Sequence, residues 1–395
     1  LRNKTSNQGR DTIRRLALLF ILLSLVVITG LDAPILAQTA SSGWAIQEVA
    51  RGTKPTLALD SENVPHIAYM LERTDGWVRF ASPVDDSWAF TNVTEGYFYG
   101  PLDVAFNSQD EPHIVYHDHQ DPRFNPMAGD ATLALRVNGE WEVQTFPDVG
   151  HDGWDGSVIF DEDDVLHIAA VDPVDFNGDG VEYYRRTPDG EFTVEDLDTG
   201  FLSYAFGTSI ALDLDGRPLI TYYEQFDPSL SLATRIGEDE WEIEVVDDEG
   251  DTGLFSSMAI DAEGGIHISY FENFGDGTGR VLYTYRASPD ADWQRTEIDA
   301  LDSLTFGHTG ARDVTALVLD SDGLPRIAYG DEAVVKLATF DGESWSTETV
   351  ATADEDPLGH IVSLKLDADD NEHLAFATVT NLDDLDGFIY YATRE

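Results

Sequence analysis

One phrase recurs seven times along this chain, and the recurrence leaves few folds open. It reads LALDSENVPHIAY from Leu57, VAFNSQDEPHIVY from Val104, VIFDEDDVLHIAA from Val158 and IALDLDGRPLITY from Ile210. It continues as MAIDAEGGIHISY from Met258, LVLDSDGLPRIAY from Leu317 and LKLDADDNEHLAF from Leu364. The marker residue is Asp60, Asn107, Asp161, Asp213, Asp261, Asp320 and Asp367, so successive copies lie 47 to 59 residues apart. Periods of this size in units of short β-segments indicate propeller blades, not helical solenoids. No helix is expected after Leu31.

Within each copy two apolar stretches flank an Asp/Asn/Gly-rich turn, the pattern of a tight hairpin between strands A and B. Strand C follows as WVRFAS from Trp77, LALRV from Leu133, VEYYRR from Val181, LSLATR from Leu230, VLYTYR from Val281, VVKLAT from Val334 and FIYYATR from Phe388. Strand D opens on an aromatic residue: Trp88, Trp141, Phe192, Trp241, Trp293 and Trp345. Six of the eight tryptophans, Trp44 included, hold this marker and read as blade packing rather than ligand platforms. The seventh copy ends at strand C, and its missing strand D stands at the other end of the chain, from Gly43 to Ala50. Pairing Gly43–Ala50 with Phe388–Arg394 closes an all-β, seven-bladed propeller of four-stranded blades and removes two sheet edges.

Ahead of residue 43 the chain carries Arg2, Lys4, Arg10, Arg14 and Arg15, the apolar run LALLFILLSLVVITGL from Leu16 to Leu31, and then DAPILA. This order predicts a secretory signal over residues 1–37, with Ala37 the last residue removed, a linker at 38–42 and one propeller domain at 43–395. The expected location is extracellular, periplasmic or at the cell surface; a membrane is a partner only if the segment stays uncleaved. With no cysteine, an exported domain must rely on its core.

Charge narrows the partners. The chain has 23 Lys+Arg against 75 Asp+Glu, a formal charge of -52, which repels nucleic acid and anionic membrane surfaces. Only Lys4, Lys54, Lys336 and Lys365 are lysines, a carboxylate-rich and lysine-poor surface like that of proteins from high salt; a merely acidic extracellular protein is the alternative. A monomer is expected.

The hairpin phrases resemble the bacterial repeat propellers grouped as the BNR or Asp-box, sialidase-like superfamily, and the A–B phrase also looks like an NHL repeat. Turns such as Thr187-Pro-Asp189-Gly190-Glu-Phe192 and Ser288-Pro-Asp290-Ala-Asp292-Trp293 look like shortened Asp boxes that lack the family's full spacing. The resemblance implies architecture, and an Asp box is itself a structural turn.

In a propeller the B–C and D–A connections share one face, where ligands usually bind. The candidate ligand contacts there are Tyr97, Tyr99, Trp154, Tyr204, Phe255, Phe306, His308 and Asp331. Aromatic rings beside carboxylates suit a glycan or an extracellular protein. The candidate catalytic groups are His117, Asp118, His119, His151, Asp172, Glu224 and Glu272. The acid ending strand B recurs as Glu72, Asp118, Asp172, Glu224, Glu272 and Asp331, and regular recurrence points first to structure. The same holds for His66, His113, His167, His267 and His373 on strand B. In one loop Asp175, Asn177 and Asp179 precede Gly180 at alternate positions, a spacing that wraps calcium; Arg186 stands where an EF-hand has its glutamate.

The resulting expectation is a binding module that holds a glycan or protein at an aromatic, acidic face, with calcium as the candidate cofactor. A carbohydrate-active enzyme using His and carboxylates on that face is the alternative. A sialidase needs converging arginines, whereas Arg136, Arg185, Arg186, Arg235, Arg286 and Arg394 end strand C on the opposite face. A polysaccharide lyase needs positive charge that this face supplies only through Arg123, Arg280 and Arg312.

Overall fold

The computed structural model describes residues 43–394 apart from 72–75, 119–128, 147–153, 173–179, 198, 200–206, 303–314, 332, 354–357 and 382–385. Its strands form seven antiparallel sheets of four strands each, and no helix occurs among the described residues. Blade 1 is typical, with strands A to D at Thr53–Leu59, Pro65–Leu71, Gly76–Val84 and Ser87–Gly96.

Blade 7 takes strands A, B and C from Leu358–Leu366, Glu372–Asn381 and Asp386–Thr393, and strand D from Ala45–Arg51. Ala45 faces Thr393 and Arg51 faces Phe388, so the closure read from the end-to-end offset is the one observed, with the strands running Ala45–Arg51 and Asp386–Thr393. Gly387 makes it possible: the Gly52 N–H donates to the Gly387 carbonyl at 2.9 Å, and a Cβ at Gly387 would run into the Thr378 carbonyl oxygen.

The repeat marker has the same task in every blade. Its Oδ1 accepts the N–H groups two and four residues on, as Asp60 does from Glu62 and Val64 and Asp367 from Asp369 and Asn371. Asn107, Asp161, Asp213, Asp261 and Asp320 repeat the pattern. A side chain that replaces a backbone acceptor allows an abrupt reversal between two short strands, which is why Asp or Asn stands there.

Apolar residues lie between blades. Alternation along strand A sends Leu57 toward blade 7, beside Ala375 and Ile389, and Ala58 toward blade 2, beside Val104 and Ile114. An equivalent cluster fills each of the other joints. The strand-D tryptophans cap these clusters by resting edge-on against an aromatic of the preceding blade: Trp88 on Tyr391, Trp141 on Phe80, Trp241 on Tyr183 and Trp345 on Tyr283, at 5.1–5.5 Å. Indole N–H groups then donate across the joint, from Trp88 to Gln47, Trp141 to Thr91 and Trp241 to Glu195.

Candidate functional site

The recurrent strand-B histidines are internal struts. His167 and His267 bond through Nε2 to Asp161 and Asp261 and through Nδ1 to the Tyr183 and Tyr283 hydroxyls, at 2.6–3.2 Å. His66 joins Asp60 to Ser82, and His373 contacts Tyr391 beside Asp367. An Asp–His–Tyr chain resembles a catalytic relay, but here it repeats from blade to blade with the ring buried. Burial lowers the pKa of all five histidines, so they stay neutral.

The strand-B acids diverge in role. In blade 5, Glu272 is 6% exposed and receives Arg280 and Arg295 at 2.6 and 2.9 Å. Arg280 also meets Glu297, and Arg295 also meets Asp247 and Glu249, so each cation is outnumbered by carboxylates. In blade 6, Asp331 accepts Lys336 at 2.8 Å. Glu272 and Asp331 are therefore held in structural ion pairs. In blade 4, Glu224 is half-buried, which raises its pKa, and it accepts the Phe226 N–H.

Blade 2 brings two carboxylates together. Asp118 ends strand B opposite Asp130, the first residue of strand C, and Asp130 is 8% exposed. Burial, and then the neighbouring Asp130 charge, push the Asp118 carboxyl up to about 6. His117 beside them is fully buried, and its ring occupies the space that a side chain at residue 129 would need, so Gly129 is required.

The described part of the face also carries two exposed rings. Phe226 and Phe274 are 67% and 51% exposed, and each stands two residues after the acid ending strand B in adjacent blades. Their loops are pinned. Asn273 Oδ1 accepts the Gly275 N–H, Phe274 N–H bonds to the Thr278 carbonyl, and Arg280 lies 5.6 Å from the Phe274 ring centre. Beneath them Asp251 ties the blades together, accepting Tyr223 Oη at 2.6 Å and Asn273 Nδ2 at 2.8 Å.

The other expected residues fall differently. Phe255 is 3% exposed and belongs to the core between blades 5 and 6, with a left-handed φ of 50°. It also lines the axial cavity enclosed by the A strands. Tyr97 is half-buried between strands D and A of the first two blades. Tyr99 lies in strand A of blade 2 (Phe98–Phe106), Trp154 opens strand A of blade 3 (Trp154–Phe160), and Asp172 ends its strand B (Leu166–Asp172). His119, His151, Tyr204, Phe306, His308 and the calcium candidates Asp175, Asn177 and Asp179 lie outside the described residues. Among the described residues no group of three or more His, Asp or Glu side chains is placed to hold a metal.

The described strands define a seven-bladed β-propeller of four-stranded blades. No family model matches the chain, and no curated protein matches it. Among solved structures it is similar to a protein of unknown function from Dyadobacter fermentans, with TM-score 0.52, 10% identity and coverage of 89% of this chain and 99% of that one. It is also similar to a polysaccharide lyase of family PL25, an ulvan lyase bound to -[GlcA(1-4)Rha3S]-, with TM-score 0.56, 12% identity and coverage of 86% and 94%. The NanB sialidase of Streptococcus pneumoniae matches at TM-score 0.49 and 10% identity, over 93% and 71%. At such identities the likeness is one of fold.

Proposed function

We propose that this protein is an exported carbohydrate-binding propeller that seats a glycan on the B–C loops of blades 4 and 5. The observation that carries the reading is the pair Phe226 and Phe274, exposed at the same position of consecutive blades and held on pinned loops. Exposed rings in register offer flat apolar platforms to sugar C–H faces, while Glu224 and Asp251 stand nearby to orient hydroxyls. The ulvan lyase neighbour, bound to an oligosaccharide, gives the fold a precedent for such a ligand. The expected glycan is neutral or weakly charged, because Arg280 and Arg295 are already matched by carboxylates.

Asp118 with Asp130 favours a second reading, glycoside hydrolysis, since a carboxyl pushed up to about 6 beside an acidic neighbour suits a general acid. A glycan array and a polysaccharide-turnover screen on one sample, in molar salt with and without calcium, test both. Binding that is lost in Phe226→Ala/Phe274→Ala, with no turnover, supports the module. Turnover abolished by Asp118→Asn supports the enzyme, and array signals unchanged by removing both rings overturn the platform.

A further inference from the structure

Each of the two exposed rings is followed by an exposed carboxylate. In blade 4 the loop runs Glu224-Gln225-Phe226-Asp227, and in blade 5 it runs Asn273-Phe274-Gly275-Asp276, with Phe226, Asp227, Phe274 and Asp276 all at the surface. The turn joining strand D of blade 4 to strand A of blade 5 adds the exposed Asp248, and Asp251 follows it beneath both loops.

The cations nearby are already taken. Arg280 lies 5.6 Å from the Phe274 ring centre, but its guanidinium is bonded to Glu272 and Glu297. Arg295 is shared by Asp247, Glu249 and Glu272. Asp276 accepts only the Thr278 hydroxyl and N–H, both through Oδ1, which holds its carboxyl below the usual range and leaves Oδ2 to the solvent side. Burial and then the Asp227 charge raise the pKa of Glu224, so the negative field at the blade 4 ring is not cancelled by a protein cation.

The face of an aromatic ring attracts a cation through its quadrupole, and a carboxylate beside the ring adds a charge-assisted hydrogen bond to an N–H group. A sugar hydroxyl gains little from the second effect, whereas a sugar ammonium gains from both. We propose that the platform selects glycans with free amines, amino sugars of the glucosamine class, their ring faces on Phe226 and Phe274 and their ammonium groups on Asp227 and Asp276. The inference rests on the platform reading and gives its glycan the sign of its charge. Two flat rings in register match the repeating C–H faces of a sugar chain better than the thin side chains of a basic peptide.

Titration calorimetry of the full chain at about pH 6, where a sugar amine holds its proton, tests this. The probe is the glucosamine tetramer, with its N-acetylated form as the same ring faces without charge and tetralysine as charge without ring faces. In about 0.15 M NaCl the amine tetramer is expected to bind about tenfold more tightly than the N-acetylated one, the scale of one charge-assisted hydrogen bond. In about 1 M NaCl the gap should narrow, as screening shortens to roughly 3 Å. Asp227→Asn/Asp276→Asn, which keeps an Oδ1 acceptor in both loops, should close the gap to within about threefold and leave the N-acetylated tetramer unaffected. The same charge change at Asp85→Asn/Asp86→Asn, in the exposed C–D turn of blade 1, should leave the gap as it is.

Equal affinity for the two tetramers, both lost in Phe226→Ala/Phe274→Ala, overturns the amine preference and leaves the platform standing. Affinities untouched by removing both rings overturn the platform and this inference with it. Tetralysine binding as tightly as the amine tetramer, or an equal loss in the Asp85 and Asp86 variant, marks a general attraction to an acidic surface and overturns the ligand class. No heat from the amine tetramer also overturns the inference, and the glycan array then decides the platform separately.

Discussion

Single carboxylates do unequal work at equivalent positions. Asp161 accepts two backbone N–H groups with Oδ1 and His167 with Oδ2, whereas Asp213 accepts the same two N–H groups but turns Oδ2 to the half-exposed Arg217. Losing a hydrogen bond that keeps a buried ring satisfied costs more than losing a solvated ion pair. In urea titrations Asp161→Ala is therefore expected to destabilise by about 2–4 kcal/mol, and Asp213→Ala by about 1–2 kcal/mol. At Asp118 the raised pKa comes from burial and then from Asp130. Carbon-detected NMR should find this carboxyl near 6 and see it fall toward ordinary values in Asp130→Asn, in which the neighbouring charge is gone. The marker residues were legible in the sequence because all seven copies share them.

At the scale of the strand, the five strand-B histidines set a pH response. Burial holds each folded-state pKa below the ordinary 6.5, so between that value and their lower folded values the unfolded chain binds more protons. Stability should be flat above about pH 7 and fall as pH drops below the ordinary histidine range. Asp118, Asp103 and Glu224, whose carboxyls burial raises, work the other way and gain stability as pH falls toward the ordinary carboxylate range, but they are three groups against five. Thermal melts in molar salt, which mutes the general relief of acidic repulsion, should show the decline, and His267→Gln should make it shallower. Strands A to D could be placed from their apolar alternation and aromatic starts. What tied one blade to the next was harder to see, because Gln47, Thr91, Glu195, Glu244 and Glu348, three residues after the strand-D aromatic, look like ordinary surface residues on an edge strand. They receive the next blade's tryptophan or the arginine ending its strand C. The candidate site was read least well, since loops differ between blades and no period governs them. Phe255, expected on the ligand face, packs in the core between blades 5 and 6 and has a left-handed φ that no pattern in the sequence announces.

For the whole molecule, closure and charge dominate. Gly387→Ala places a methyl against the Thr378 carbonyl at the one blade built from both chain ends, and is expected to cost about 1–3 kcal/mol in urea unfolding. The net charge of -52 predicts a melting temperature that climbs from dilute buffer to molar salt as self-repulsion is screened; a flat profile would refute it. The joints will not share that gain equally. Between blades 3 and 7 they carry ion pairs: Arg235 with Glu195, Arg286 with Glu244, Lys336 with Asp299, and Arg326 with Glu372. From blade 7 through blade 1 to blade 3, the described joints use mostly uncharged donors instead, as where Ala368 N–H reaches Asn63, Ser61 reaches Asp110 and Ser108 reaches Asp164, and the one charged donor there, Lys54, ends on the neutral Gly100 carbonyl. Ionic strength thus weakens one arc of the ring while leaving the other nearly untouched. Hydrogen exchange followed at low and high salt should show the first seam to part migrating around the circle, which would make salt a control on where the propeller breathes as well as on how firmly it holds.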